Sequence, residues 1–292
     1  MRSHSSQIPL VQALSWIVGI TLLFAIVAHR SIRYVFFHKK SVQVEANVDS
    51  IVQTGSCKEA LHSDYLMELL DLSVDHSVSF SRFDVELAQK KILSSPVIKQ
   101  AEVKKRTPGT IYIDYTVRRP IAWLADFCNT GLDCEGVLFP VHPFFSPKRI
   151  PEIYLGAKGY AENNPPLFGK PLTGKFLEAA FTLLEILSER GKDLFFIKRI
   201  DVSKMQEPSL GKREIVVVLE QEIYTSGRDK PSLSLHFLRL SARNFSKEIA
   251  NYLNLRSVLL ETEKQEVALM GKELPARSRV IDLRLEQLAF VQ

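Results

Sequence analysis

Residues 96–124 read PVIKQAEVKKRTPGTIYIDYTVRRPIAWL, and this stretch predicts two β-strands joined by a tight turn. Proline presets φ for the first corner of a turn and glycine accepts positive φ at the next, so Pro108-Gly109 forms the turn. After the turn, apolar and polar residues alternate, as in a strand with one buried face. Before it, a shorter strand has a basic outer side. The apolar positions after the turn are Ile111, Ile113, Tyr115 and Val117.

Two amphipathic helices are expected before this hairpin. Leucines recur at helical spacing over 61–72, and a second helix follows with Leu87 and Leu93 on its apolar face. Asp84 favours the amino-terminal end of that second helix electrostatically. Apolar residues over 42–55 predict a strand ahead of both helices. The predicted order is therefore strand, helix, helix, strand, strand.

The motifs in this region resemble the end of a POTRA (polypeptide-transport-associated) domain, in the version found in the FtsQ/DivIB family of bacterial cell-division proteins. The matching segments, in order, are Pro96-Val97-Ile98-Lys99, Val103-Lys104-Lys105-Arg106, Pro108 and Arg119-Pro120-Ile121-Ala122. The resemblance implies an α+β fold with a βααββ POTRA domain. Such a domain has no catalytic machinery and usually offers a sheet edge or groove to another chain.

The amino-terminal part of the chain contains a candidate membrane anchor. Ile8 to Ala28 carries no charge, and a bilayer core of about 30 Å needs roughly 20 helical residues. A cleaved signal peptide has a shorter apolar region followed by small residues, whereas here basic and aromatic residues follow. The flanking charges favour a cytoplasmic location for the rest of the chain. The family resemblance implies the opposite orientation, with a cytoplasmic amino terminus, and we adopt that expectation.

The distribution of charge argues against nucleic-acid binding. The formal net charge is +5, and the five basic residues of 1–41, where no acidic residue occurs, account for all of it. The rest of the chain is balanced, whereas a nucleic-acid-binding domain needs a cationic stripe on its folded part.

The second half of the chain predicts a mixed antiparallel β domain with two helices. Leu132-Asp133-Cys134-Glu135-Gly136-Val137-Leu138-Phe139 and the terminal Ile281-Asp282-Leu283-Arg284 resemble family motifs. Helices are expected over 174–190 and 246–255, and a last strand over 278–284. The predicted strands between these helices are 195–202, 214–220 and 233–240. The full prediction is a tail (1–7), a transmembrane helix (8–28), a basic and aromatic linker (29–41), a POTRA domain (42–122) and an FtsQ-type β domain (123–292).

The resemblance also implies which residues bind partners. By position, Leu285, Gln287 and Phe290 match residues that face the partner in the family, and Lys247 with Arg284 would pair with acidic groups of that partner. An alternative is that the apolar residues among them close the core. Two departures from the family pattern put the local geometry in doubt: Leu288 and Ser241 stand where glycine is common.

No sequence motif predicts catalysis, a cofactor or a metal. Residues 169–175 resemble a phosphate-binding P-loop, but Phe176 occupies the position of the magnesium-binding hydroxyl. Residues 209–212 have the Ser-x-x-Lys spacing of penicillin-interacting enzymes, but they predict a turn rather than a helix. The seven histidines lie far apart and are expected at the surface or in interfaces.

The spacing of the cysteines is compatible with one disulfide. Cys128 and Cys134 flank a predicted turn, so in an oxidising compartment they could bridge across a hairpin base. In that arrangement Cys57 is left unpaired or buried.

The resemblance thus implies a non-enzymatic scaffold of the division septum, anchored in the inner membrane with its carboxyl-terminal domain in the periplasm. The resemblance implies binding to FtsL-like and FtsB/DivIC-like bitopic proteins and a link to the septal peptidoglycan synthase complex. Two alternatives stay open: a POTRA-containing membrane-protein assembly or secretion module, and an anchored cell-wall enzyme.

Overall fold

The computed structural model describes residues 10–37, 47–55, 60–73, 78–160, 167–224, 231–269, 277–285 and 288–292. An apolar amino-terminal helix precedes two sheets, of three and nine strands, each packed with helices. This arrangement confirms the predicted α+β class. We refer to the two parts as the three-stranded unit and the nine-stranded unit.

Helix α1 spans Leu10–Phe37. Its segment Leu14–Arg33 is 20 residues long, has a mean hydropathy of 1.6 and is not buried by the rest of the chain. Twenty helical residues are about 30 Å long, which is enough to cross the hydrocarbon core of a bilayer. The helix continues past Ala28, so residues 29–37 of the expected linker are helical, and residues 38–41 lie outside the described ranges.

The three-stranded unit has the predicted order βααββ. Its elements are β1 (Ser50–Gly55), α2 (Ser63–Leu69), α3 (Val85–Ser94), β2 (Ile98–Arg106) and β3 (Thr110–Val117). The sheet order is β1-β3-β2, with β1 parallel and β2 antiparallel to β3. Residues 42–46, where the first strand was expected to begin, lie outside the described ranges.

Local chemistry explains where these elements begin and which faces they bury. One carboxylate oxygen of Asp84 accepts hydrogen bonds from the backbone amides of Glu86 and Leu87, so Asp84 caps α3. The predicted apolar face of α3 is wrong, because Leu87 and Leu93 are exposed and the helix buries Ala88 and Ile92 instead. Strand β3 alternates as predicted, with Ile111, Ile113, Tyr115 and Val117 buried.

The nine-stranded unit is a mixed sheet with the order β12-β11-β10-β9-β8-β7-β4-β5-β6. Its strands are β4 (Ala122–Leu124), β5 (Thr130–Leu132), β6 (Leu138–Pro140), β7 (Glu152–Tyr154), β8 (Phe196–Asp201), β9 (Ile215–Ile223), β10 (Ser232–Leu240), β11 (Arg277–Asp282) and β12 (Phe290–Val291). Helix α4 (Lys175–Arg190) connects β7 to the parallel strand β8, and helix α5 (Phe245–Leu269) connects β10 to the parallel strand β11.

The core of this unit lies between the sheet and helix α4. The helix buries five apolar side chains at helical spacing, as an amphipathic helix on a sheet requires. These residues are Phe176, Leu177, Ala180, Leu183 and Leu187. Helix α5 is 25 residues long and extends well beyond its expected end at Leu255.

The two units share a packed boundary. Three apolar residues in or just after β6 are buried in the apolar cluster of the three-stranded unit: Phe139, Val141 and Phe145. Beside them, Nη1 of Arg118 lies 2.6 Å from a carboxylate oxygen of Asp133, and both side chains are largely buried. The nine-stranded unit therefore completes the core of the smaller unit.

Candidate partner-binding site

The carboxyl-terminal edge of the large sheet is formed by two strands rather than one. The expected last strand over 278–284 corresponds to β11, which ends at Asp282, and the two-residue strand β12 pairs antiparallel on its outer side. The amide of Val280 donates to the carbonyl of Gln292 at 3.0 Å, and the amide of Gln292 donates back at 2.9 Å. The chain thus covers part of the edge of β11 with its own carboxyl-terminal residues.

An exposed apolar patch lies at this edge. Leu285, Leu288 and Phe290 are 59%, 66% and 57% exposed, so they do not close the core. Leu288, one of the two departures from the family pattern, adds apolar surface where a glycine would add none. Gln287, predicted to face a partner, lies outside the described residues.

A cavity of about 950 Å³ opens beside the patch and is rich in basic residues. It is lined by Lys175, Arg213, Arg243 and Arg284, with Asp282 the one acidic residue among the lining side chains. Strands β10 and β11 are parallel, so the residues after their carboxyl ends meet at one end of the sheet. This topology brings Arg243 and Arg284 to the same cavity.

The charge of Arg284 is already balanced within the chain. Its Nε and Nη2 atoms donate to the two carboxylate oxygens of Asp282 at 2.9 and 2.6 Å. Burial raises the pKa of Asp282, but the hydrogen bonds and charge of Arg284 outweigh burial and lower that pKa overall. Arg239 lies against Asp282 and Glu214, and the ammonium of Lys204 is 3.5 Å from Glu214, so the group holds two acidic and three basic side chains. The role of Arg284 toward an acidic partner remains a prediction.

Two other basic side chains of the cavity, one lysine and one arginine, have no acidic partner among the described residues. Within the described ranges, Lys175 and Arg243 form no ion pair. Lys247, which the family resemblance singled out, is exposed in the first turn of α5 but does not line the cavity. Sequence analysis missed Arg243 and Lys175 because only the sheet order places them beside Arg284.

Ser241, the other departure from the family pattern, holds the start of α5. Its hydroxyl and amide donate to the carboxylate of Glu248 at 2.5 and 2.7 Å, and its hydroxyl accepts from the amide of Asn244 at 3.1 Å. Burial raises the pKa of Glu248, and the hydrogen bonds from Ser241 offset part of that increase. A serine at this position therefore fixes the start of α5 and the segment 241–244 before it, which lines the cavity.

A buried polar network lies behind the edge, and the expectation of surface histidines is wrong for His236. His236 is fully buried on β10, and its Nε2 lies 2.9 Å from a carboxylate oxygen of Glu263 on α5, which is also fully buried. Nε of Arg279 on β11 lies 2.8 Å from the same oxygen. Burial raises the pKa of Glu263, but hydrogen bonding and charge from His236 and Arg279 lower it overall.

The other ring nitrogen of His236 lies against a second set of polar side chains. Nε of Arg256 donates to the side-chain oxygen of Gln221, so the amide nitrogen of Gln221 points to Nδ1 of His236 at 3.0 Å. The hydroxyl of Tyr252 is also 2.8 Å from Nδ1. The network joins β9, β10, α5 and β11.

The expected disulfide is not formed. Cys128 and Cys134 are free and exposed. The residues between them form strand β5 rather than a turn, and an extended strand rises about 3.3 Å per residue, which carries its two ends apart. Cys57 lies outside the described residues.

Comparison with known proteins gives one assignment. No curated protein matches the chain. The family model described as "POTRA domain, FtsQ-type" matches residues 54–115, from the end of β1 to Tyr115 in β3. The match covers the last two residues of β1, both helices α2 and α3, all of β2 and most of β3. The chain therefore carries an FtsQ-type POTRA domain, and this match supports its assignment as an FtsQ/DivIB family protein.

Proposed function

We propose that this protein is a non-enzymatic, membrane-anchored scaffold of the bacterial division site. The observation that carries the proposal is the match of residues 54–115 to the FtsQ-type POTRA domain. The candidate membrane span Leu14–Arg33 ahead of that domain supports the anchor. The partners that the family resemblance implies are FtsL-like and FtsB/DivIC-like bitopic proteins, through which the scaffold would act on the septal peptidoglycan synthase complex.

In this proposal a partner adds a strand to the carboxyl-terminal edge of the nine-stranded unit. Backbone hydrogen bonds would supply affinity, and side chains at alternate positions would supply specificity. The exposed patch of Leu285, Leu288 and Phe290 supports an apolar contact at the edge. The neighbouring basic cavity supports acidic residues in the partner, with Arg243 and Lys175 as their first contacts.

The test is co-purification of the full-length chain with its co-expressed FtsL-like and FtsB-like proteins. Phe290→Asp would place a carboxylate opposite Asp282, and repulsion between the two carboxylates could loosen β12. A loss of binding by that variant would therefore not isolate the contact with the partner. Phe290→Thr keeps a strand-forming residue without adding charge, and we expect it to weaken partner affinity by about tenfold or more, as for an interface hot spot. Leu194→Thr, at an exposed leucine far along the sheet, is the matched control. Unchanged affinity of a folded Phe290→Thr protein would exclude this edge as the binding site.

The expected location has a separate test. A reporter active only outside the cytoplasm, fused after Gln292, should be active, and a reporter active only in the cytoplasm should be silent at the same position. The opposite result would agree with the flanking charges and would contradict a periplasmic carboxyl-terminal domain.

A further inference from the structure

The turn between β2 and β3 lies at the end of the three-stranded unit where the chain enters it from the side of α1. Because β1 is parallel to β3, its first residue, Ser50, lies opposite Thr110 beside the turn. The amide of Asp49 donates to the carbonyl of Gly109 at 2.9 Å. Residues 38–46 separate this end from the last residue of α1, and ten peptide steps reach at most about 36 Å. The opposite end of β3 leads into the nine-stranded unit.

This end of the unit is basic. Lys104, Lys105 and Arg106 run consecutively into the turn, and Arg82 is exposed in the loop beside it. That loop is held at the same end, because Ser79 pairs with Asn47 and the ammonium of Lys105 donates to the carbonyl of Ser81 at 3.3 Å. We call the segments 79–82 and 104–110 the hairpin tip.

Aromatic rings hold two of these cations at the surface. The guanidinium of Arg106 lies 4.9 Å from the ring centroid of Tyr112, and the ammonium of Lys105 lies 5.4 Å from that of Phe80. The acidic side chains nearest to these cations flank the hairpin tip and are not part of it: Asp49 beside the turn, Asp84 after the 79–82 segment, and Glu102 with its strand partner Asp114. Glu102 is 2.7 Å from the ammonium of Lys104. The hairpin tip itself, residues 79–82 and 104–110, holds four basic side chains and no acidic one.

We propose that the hairpin tip contacts anionic phospholipid headgroups of the membrane that α1 crosses. Basic residues close to an anionic bilayer are attracted within about one Debye length of its surface, and the short connection to α1 keeps the tip within reach of that surface. Aromatic side chains beside basic ones are suited to the headgroup region. The contact orients the nine-stranded unit away from the bilayer, and it holds whichever side of the membrane the domain occupies.

The test measures how close the tip lies to the lipid surface in the full-length protein. Cys57, Cys128 and Cys134 are replaced by serine, a fluorescent donor is attached at Thr107→Cys, and nanodiscs carry an acceptor on the lipid headgroup. The lipid is phosphatidylcholine alone or with about a quarter phosphatidylglycerol. We expect energy transfer to rise by about half or more with the anionic lipid. The increase should disappear between about 0.1 and 1 M NaCl, where the Debye length falls from about 10 to 3 Å.

Charge variants locate the contact. Lys104→Gln with Arg106→Gln should abolish most of the lipid-dependent increase, whereas Lys192→Gln with Lys198→Gln, which remove the same charge from exposed positions of the nine-stranded unit, should leave it unchanged. Equal energy transfer in the two lipid mixtures would overturn the proposal. The salt series uses the unaltered hairpin tip, so this test does not depend on any charge variant. A rise on adding an acidic polypeptide, with no response to lipid composition, would assign the tip to a protein partner instead.

Discussion

The carboxylate of Glu263 is the most consequential single group behind the candidate binding edge. It is fully buried and accepts hydrogen bonds from His236 on β10 and Arg279 on β11, the two parallel strands next to the outermost strand β12. Removing one member of a buried ion pair leaves the other charge uncompensated, which is strongly destabilising. The network therefore fixes α5 against the sheet.

We expect Glu263→Gln to lower the free energy of unfolding by about 3–5 kcal/mol, measured by urea denaturation of the full-length protein in detergent. Glu261→Gln changes an exposed glutamate on the same helix and should alter stability by no more than about 0.5 kcal/mol. Similar losses for the two variants would show that the buried network adds little to stability.

The same carboxylate predicts a pH dependence. The pKa of Glu263 is lower in the folded protein than its usual value, so the folded state binds this proton less readily than the unfolded state does. Its stabilising contribution is present above the unfolded pKa, about 4.3, and is lost as the pH falls through the folded value. Glu263→Gln should therefore flatten the acid limb of the stability curve below about pH 4. An acid limb of unchanged slope would contradict the lowered pKa.

The β2–β3 hairpin depends on one glycine. Gly109 has φ of +74°, and a Cβ at this position would lie 2.6 Å from the carbonyl oxygen of Asn47. An L side chain is disfavoured by that backbone conformation and would also clash with backbone atoms.

We expect Gly109→Ala to destabilise the protein by about 1–3 kcal/mol, measured as a shift of the denaturation midpoint. Gly211→Ala is the matched control, since a Cβ there meets no atom within 4 Å. A tolerated Gly109→Ala would mean that the hairpin can move away from Asn47.

Local patterns were sufficient to predict this hairpin and its helices, and insufficient to predict what the elements bury. Alternation in β3 depends on neighbouring residues alone, so the sequence predicted its buried face correctly. The predicted apolar face of α3 was wrong because Ala88, with its small side chain, contributes little to a hydrophobic sequence pattern. In the folded protein Ala88 is nevertheless buried. Burial of His236 depends on Glu263, Gln221 and Tyr252, whose approach is set by sheet order and the course of α5.

The candidate site shows the same limit on a larger scale. Leu285 and Phe290 could be identified from the terminal motif, because they follow it directly in sequence. The basic cavity could not, because Lys175, Arg213 and Arg243 come from three separate segments that meet only in the folded sheet. Arg284 was identified, but its pairing with Asp282 became visible only in the structure.

The boundary between the two units determines whether the whole molecule unfolds as one body. Phe139 is fully buried, and its ring meets that of Phe145 edge-on at 5.9 Å. Both belong to the core of the three-stranded unit, although Phe139 lies in β6 of the nine-stranded unit and Phe145 follows that strand. The buried pair of Arg118 and Asp133 joins the units beside them. A core shared across a boundary couples the stabilities of the parts on either side.

We therefore expect a single calorimetric transition for the full-length protein, and Phe139→Ala should lower its stability by about 3–5 kcal/mol while keeping one transition. Phe168→Ala removes the same atoms from a half-exposed position and should shift the transition only slightly. If Phe139→Ala instead lowered the melting of the three-stranded unit alone, followed by a second transition at the original temperature, the two units would be independent. In that case the POTRA domain could move relative to the candidate binding edge, whereas a shared transition would mean that the packed boundary holds the two units in one arrangement.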